Sequence, residues 1–470
     1  MMTASEVLPS SFRDPAGFLF KRNDTLYRQV NQSYATDFDA LTNSGLYEAL
    51  VKAKLLIPHH EVEVEAAESS NVYKTIQPGF VPFISYPYEW SFSQLKDAAL
   101  VTMTIQRVAL KHGMCLKDAS AYNIQFYEGR AVLIDTLSFM QYEEGKPWQG
   151  YKQYCQHFLA PLALMSSTDV RLSQLLRIHI DGIPLDLASK LLPVKSRLSP
   201  LLLSHIHMHA KAQVRYGETT EDGETREVKS IDRKSMEAMM QTLHEGTRKL
   251  QWQAPKTEWG EYYSATNYED ESLQNKELLV REFLSGLDKS ESLLHDLGAN
   301  NGHFSRIACE LGFNSVAWDI DPVAVENNYL QLKNEKRRNL LPLVLDLTNP
   351  SSAIGWSSAE RDSFTERAQN NTVLALALVH HLAISNNVPL TMVAKFMARL
   401  AHHLIIEFIP KSDSQVKRLL ANRTDIFSEY TQEGFEKAFS SEFDVVKTEN
   451  IEGSERSLYL MQRKNRSSEN

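Results

Sequence analysis

Polar and apolar positions change rhythm along the chain. Residues 18 to 39 begin FLFKRNDTLYRQV, two short apolar clusters around a polar Arg22-Asn23-Asp24 turn, which predicts a β-hairpin with a helix after it. HHEVEVEAAESSN alternates valine with glutamate, the pattern of a half-exposed strand, and Val72 to Ile76 predicts another. The proline-rich run Pro78 to Trp90 cannot form a regular helix, because proline has no backbone N–H to give. Ser91 or Ser93 then caps a helix reaching Lys111, and residues 116 to 139 predict a loop and a hairpin turning at Glu128-Gly129. Residues 151 to 214 are mostly helical, with breaks at Asp181-Gly182, Pro184 and Pro193.

From Tyr216 to Lys234 the only aliphatics are Val228 and Ile231, the composition of an exposed linker. Helical faces follow at Met236, Met239, Met240 and Leu243, and at Leu278, Leu279, Phe283 and Leu287. Strand-like runs then end at Asp296 and Asp319. More occur at Leu343 to Leu345, Val373 to Leu378, Leu404 to Phe408, Phe443 to Val446 and Ser457 to Leu460, with helix-like pieces at 322 to 333, 389 to 401 and 431 to 439. Regular alternation of this kind predicts an α/β domain with a largely parallel sheet covered on both faces. The expected organisation is an N-terminal α+β domain (1–150), a helical segment (151–215), a linker and helix (216–259) and the α/β domain (260–470).

The chemistry concentrates in SLLHDLGANNGHFSRIACELGFNSVAWDIDP, Ser292 to Pro322. This is a strand, a glycine turn, a helix and a second strand closing on Asp319, roughly the 20-residue interval at which a nucleotide-binding crossover sets an acid against a ribose. The dinucleotide fingerprint requires glycines at first, third and sixth positions, whereas G-A-N-N-G-H from Gly298 misplaces two of them. Asp296, two residues before the first glycine, would repel a pyrophosphate. It suits a cofactor with a positive amino group, so S-adenosylmethionine is expected: Asp296 at the ammonium, Asp319 at the ribose hydroxyls and Asp346 at the adenine amino group.

With these residues in order, 260 to 463 resembles a class I S-adenosylmethionine-dependent methyltransferase, a seven-stranded Rossmann-like fold closed by an antiparallel hairpin. Asp296-Leu297-Gly298-Ala299-Asn300-Asn301-Gly302 resembles the family's first motif, the strand ending at Asp319 its second, Asp346 its third and Ala375 to His381 its fourth. The implied cofactor-binding set is Asp296, Gly298, Ala299, Asn300, Gly302, Phe304, Asp319, Ile320, Asp346 and Leu347. His380 and His381 follow the fourth strand, where the methyl acceptor lies in this fold, and a neutral imidazole there can take a proton; packing is the alternative. Glu407 on the fifth strand is a third catalytic candidate, between substrate contact and helix capping. Tyr262, Tyr263 and Tyr268 suit an aromatic lid or an interface. Taken whole, with DPAGFLF, YPYEWSFSQLKDAAL and LKDASAYNIQF, the chain is similar to bacterial nodulation-protein-related methyltransferases. The fourth motif lacks Asn/Asp-Pro-Pro-Tyr, which directs the expectation to an O or N nucleophile of a small-molecule or saccharide-like acceptor.

Asp118, Asn123 and Asp135 resemble the catalytic segment of kinase-like phosphotransferases, in which the first Asp orients the acceptor while the Asn and second Asp hold magnesium. Leu116 stands where such enzymes have histidine, Thr136-Leu137 replaces Phe-Gly, and no glycine-rich loop precedes the segment. The readings are a kinase-like scaffold with a phosphotransfer remnant or a plain hairpin. A phosphotransferase and a non-catalytic cofactor-binding interaction protein therefore stand as the alternative functions.

A formal charge of −9 and a pI near 6.0 argue against a general nucleic-acid binder. Cys115, Cys155 and Cys309 are odd in number and widely spaced, as reduced packing thiols would be, and no metal site is expected. His205, His207 and His209 are expected on a helix, facing solvent or linker. With no signal-like start and no apolar run of about 20 residues, the expectation is a cytoplasmic protein without a membrane partner.

Overall fold

The computed structural model describes residues 5–68, 70–210, 230–255, 270–289, 293–421 and 423–465. The linker residues 216–229 and the three tyrosines 262, 263 and 268 lie outside these. The chain divides into two units, Met1–Gln253 with Ala353–Asp362, and Ala254–Ser352 with Ser363–Asn470.

In the first unit, strands β1 (Glu6–Val7), β2 (Gly17–Arg22), β3 (Thr25–Asn31), β4 (His59–Glu61) and β5 (Val72–Pro78) form an antiparallel sheet in the order β1-β2-β3-β5-β4. The β2–β3 hairpin turns through Asn23 and Asp24, at φ 50° and 59°, a left-handed pair whose twist matches that of the strands. The valine–glutamate alternation yields a strand of only three residues, His59–Glu61. Ser91 caps the helix Phe92–Lys111 in a reciprocal pair with Gln94. Beyond it come β6 (Met114–Leu116), the hairpin β7 (Ile124–Tyr127) and β8 (Arg130–Leu133), and β9 (Phe139–Gln141), which pairs with β6.

Residues 353–362 belong to this unit, although they fall between strands of the other. Glu360 is buried and receives a two-pronged ion pair from Arg13, at 2.7 and 2.9 Å, and the Arg361 guanidinium lies 4.6 Å from the centre of the Tyr122 ring.

His205 and His207 correct an expectation. They lie on the π-helical turn Leu203–Met208, but both are buried. His205 Nδ1 is 2.8 Å from the Tyr151 hydroxyl, while the two ring nitrogens of His207 meet Ser189 Oγ and Ser196 Oγ at 2.8 Å each. Hydroxyl partners supplied by neighbouring elements let these rings go inside.

The second unit is a seven-stranded mixed sheet. Its strands are β10 (Leu294–Leu297), β11 (Ser315–Asp319), β12 (Leu340–Val344), β13 (Asn371–Ala375), β14 (Ala401–Phe408), β15 (Phe443–Asn450) and β16 (Ser457–Arg463), in the order β12-β11-β10-β13-β14-β16-β15. The first five are parallel and β15–β16 is an antiparallel hairpin on the edge. On one face Val280, Phe283 and Leu284 of the helix Asp270–Ser285 and Phe304 and Ile307 of the helix His303–Glu310 pack over Leu294, Leu374 and Ile405. Of the expected face Leu278, Leu279, Phe283 and Leu287, Phe283 is in the core and Leu279 and Leu287 pack against it, while Leu278 is exposed. On β10 the alternation of side chains turns His295 the other way, where it is buried and accepts the Trp318 indole N–H at 2.9 Å.

Candidate functional site

Strand order reverses between β10 and β13, and a parallel sheet opens a crevice at the carboxyl ends of its strands at such a switch point. A cleft of about 240 Å³ lies there. Its floor is the loop after β10, in which Gly298, Asn300 and Gly302 have φ of 76°, 51° and 78°. A Cβ on Gly302 would come within 2.4 Å of the Asn328 side chain, so space as well as backbone conformation demands glycine. Arg306 fastens this loop, donating to the carbonyls of Asn301 and Gly302 and to Asn328 while paired with Glu335 at 3.0 Å.

Asp319 closes the loop from the next strand. One carboxylate oxygen accepts from Asn300 N at 2.7 Å, and the other from Asp321 N at 2.8 Å. Each oxygen keeps lone-pair capacity for a ligand. Asp296 is 2% exposed and accepts the Ser305 hydroxyl at 2.6 Å. Burial pushes both carboxyls up to about 6, against the hydrogen bonds they accept. Two acids raised in one cleft are matched to a cationic ligand, which would restore the charged form.

Of the expected residues, Asp296, Gly298, Ala299, Asn300, Phe304, Asp319, Ile320 and His381 line the cleft; Gly302, Asp346, Leu347, His380 and Glu407 do not. Asp346 accepts both the Thr348 amide and hydroxyl, at 2.8 and 2.6 Å. His380 is buried behind His381, the ring centres 4.0 Å apart, and burial with the neighbouring positive groups holds it neutral.

The sequence reading missed Leu273, Lys276 and Asn386 in the lining. Lys276 is 3% exposed, with Nζ 2.6 Å from Glu407 and 4.8 Å from the centre of the Phe304 ring. Glu407 is fully buried and also takes Arg456 at 3.2 Å and Ala377 N at 2.8 Å. Burial alone would raise its carboxyl, but Lys276 and Arg456 outweigh this and hold it at about 2. Its position is that of an anion securing the cleft's cation. One signal was available: Lys276, Val280 and Phe283/Leu284 share a helix face, and a lysine on an apolar face needs a partner.

In the first unit, Asp118, Asn123 and Asp135 converge, since Asn123 hydrogen-bonds Asp118 and the Asp135 charge raises the Asp118 carboxyl after burial has done so. Asp135 is already engaged: Arg28 at 2.6 Å and Leu137 N at 2.9 Å on one oxygen, and Ser138 Oγ at 2.7 Å on the other. Arg28 therefore competes with any cation for Asp135. Among the described residues no group of three or more His, Cys, Asp or Glu side chains is placed to hold a metal.

Buried neutral histidines give a pH dependence. Burial lowers His157 and His205 to about 4 and His295 to about 3, and drives His380 well down as well. Their stabilising contribution is complete above the ordinary value of 6.5 and is lost as pH falls toward 4. Asp296 and Asp319 have the opposite sign between about 6 and 3.8, and burial raises Asp14 and Asp118 likewise, but these acids are outnumbered once His59, His209 and His403, also lowered by burial, join the four histidines. The urea midpoint is expected to drop between about pH 7 and about pH 5.

No family model matches the chain. Among solved structures, the N-methyltransferase NodS from Bradyrhizobium japonicum WM9 is 10% identical, covering 43% of this chain and 96% of its own, at a TM-score of 0.32. The magnesium protoporphyrin IX methyltransferase ChlM from Synechocystis PCC 6803 is 15% identical, covering 44% and 93%, at 0.31. Both likenesses are too low to carry an argument. The sequence relationship is of another order. Nodulation protein NoeA of Rhizobium meliloti (strain 1021) is 36% identical over 458 residues, 96% of this chain and 95% of that one. Identity at that level, running through both units, means that the chain belongs to the NoeA nodulation-protein family.

Proposed function

We propose that the second unit is a class I S-adenosylmethionine-dependent methyltransferase acting on an oxygen or nitrogen nucleophile of a small, saccharide-like acceptor. The observation that carries this reading is the pair Asp296 and Asp319, on the ends of adjacent strands and in one cleft, with the glycine loop between them. Supporting it are the sheet order, five parallel strands plus an antiparallel hairpin, and the motif resemblance from 260 to 463.

The residues present fit the cofactor. Asp319 offers lone pairs to a vicinal diol, Asp296 a carboxylate to an ammonium, and Lys276 a cation to a carboxylate. Asp346 and Leu347 remain assigned to the adenine end on the motif alone. When bound, the cofactor supplies an electrophilic methyl group on a sulfonium. The protein's part is alignment and dryness: Leu376, Ala377 and Leu378 wall the cleft, and His381 presents an imidazole that can take the acceptor's proton. His380 packs behind it.

Asp135, paired with Arg28 at 2.6 Å, disfavours the phosphotransferase alternative. Calorimetry separates the two: saturable binding of S-adenosylmethionine and none of ATP-magnesium is expected. Absence of the first, with ATP-magnesium binding lost in Asp135→Ala, would replace this reading by the kinase-like one.

A further inference from the structure

The stretch Lys190 to Leu198 in the first unit is used by none of the chemistry above. Leu191, Val194 and Leu198 are 38%, 79% and 86% exposed, and Lys190, Lys195 and Arg197 are exposed among them. No Asp or Glu occurs between Asp186 and Glu218, in a chain whose net charge is −9. The surface is therefore at once aliphatic and cationic, with the acid Asp186 at its edge, 3.5 Å from Lys190.

It is also a built feature. Val194–Leu198 forms a tight 3₁₀ turn after Pro193, while Leu192, Leu201 and Leu202 point into the core. His207, buried beneath, ties Ser189 and Ser196 together through its two ring nitrogens. The outward aliphatics stand on a backbone fixed from inside, so they form a knuckle.

We propose that this knuckle docks the protein on an anionic membrane surface. A bilayer with acidic headgroups accepts both halves of the pattern, the aliphatic tips at the acyl boundary and the cations among the phosphates. Nucleic acid would use the cations but leave three aliphatics in water. A protein hot spot is typically built on Trp, Tyr and Arg, of which the knuckle has only Arg197. Peripheral docking needs no spanning helix, and no helix among the described residues is long and apolar enough to cross a membrane. The expectation of no membrane partner rested on the lack of a signal-like start and of a spanning run, neither of which bears on peripheral docking.

Co-sedimentation of the full chain with vesicles tests the proposal. Binding is expected to mixed phosphatidylcholine–phosphatidylglycerol vesicles and not to phosphatidylcholine alone, weakening with added salt. V194D/L198D and K195E/R197E are each expected to reduce it by about tenfold or more, with unchanged circular dichroism because the positions are exposed. A wild-type chain that stays in the supernatant, or variants that pellet like wild type, would overturn it. So would a dimer lost in V194D/L198D, or retention on single-stranded DNA lost in K195E/R197E, without vesicle binding.

Discussion

Asp319→Ala is expected to weaken S-adenosylmethionine binding by roughly 100-fold, about 3 kcal/mol, while the fold persists. Two effects act together. The ribose hydroxyls lose an ionised acceptor, whose hydrogen bonds are worth about 1.5–3 kcal/mol each. Asn300 N and Asp321 N lose theirs as well, which frees the glycine loop from the next strand. Asp319→Asn, which retains one side-chain acceptor, should fall between alanine and wild type. Titration calorimetry beside far-UV circular dichroism reads both, and wild-type affinity in the alanine variant would remove Asp319 from the binding site.

Glu407→Ala should be the most destabilising single change in the second unit. It leaves Lys276 and Arg456 buried without their shared anion, a loss of about 3–5 kcal/mol when one partner of a buried pair is removed. Arg456 keeps Asp413 at 2.8 Å, so Lys276 is the more exposed to the loss. Against a total stability of about 5–15 kcal/mol this approaches unfolding. Adding Lys276→Met should recover part of the deficit, because it removes the stranded cation and keeps the volume. Urea denaturation of the two variants measures this; a deficit in Glu407→Ala below about 1 kcal/mol would mean that water already reaches the pair.

These two residues show what the sequence could and could not display. Asp319 was legible because a carboxylate ending an apolar run beside a glycine turn is locally anomalous. Glu407 was equally anomalous within IIEFIP, but its partners lie 131 residues before it and 49 after, beyond any local pattern. The strands themselves could be read from alternation, whereas their order could not, since nothing local states which strand neighbours which. On the helix Asp270–Ser285 only Leu278 misled, since it looks like a core residue until tertiary packing chooses the stripe of Leu279 and Phe283 beside it. The histidines at 205 and 207 misled for a related reason: their hydroxyl partners, Tyr151, Ser189 and Ser196, come from other elements.

The ten residues Ala353–Asp362 affect the order in which the protein is made. The first unit's main segment ends at Gln253, and its last piece begins at Ala353, 100 residues later. At a synthesis rate of about 5–20 residues per second, Arg13 leaves the ribosome and then waits a further interval of roughly 5–20 s after Gln253 before Glu360 can reach it. The N-terminal unit therefore spends the birth of β10, β11 and β12 unfinished, and a chain severed after Gln253 would never complete it.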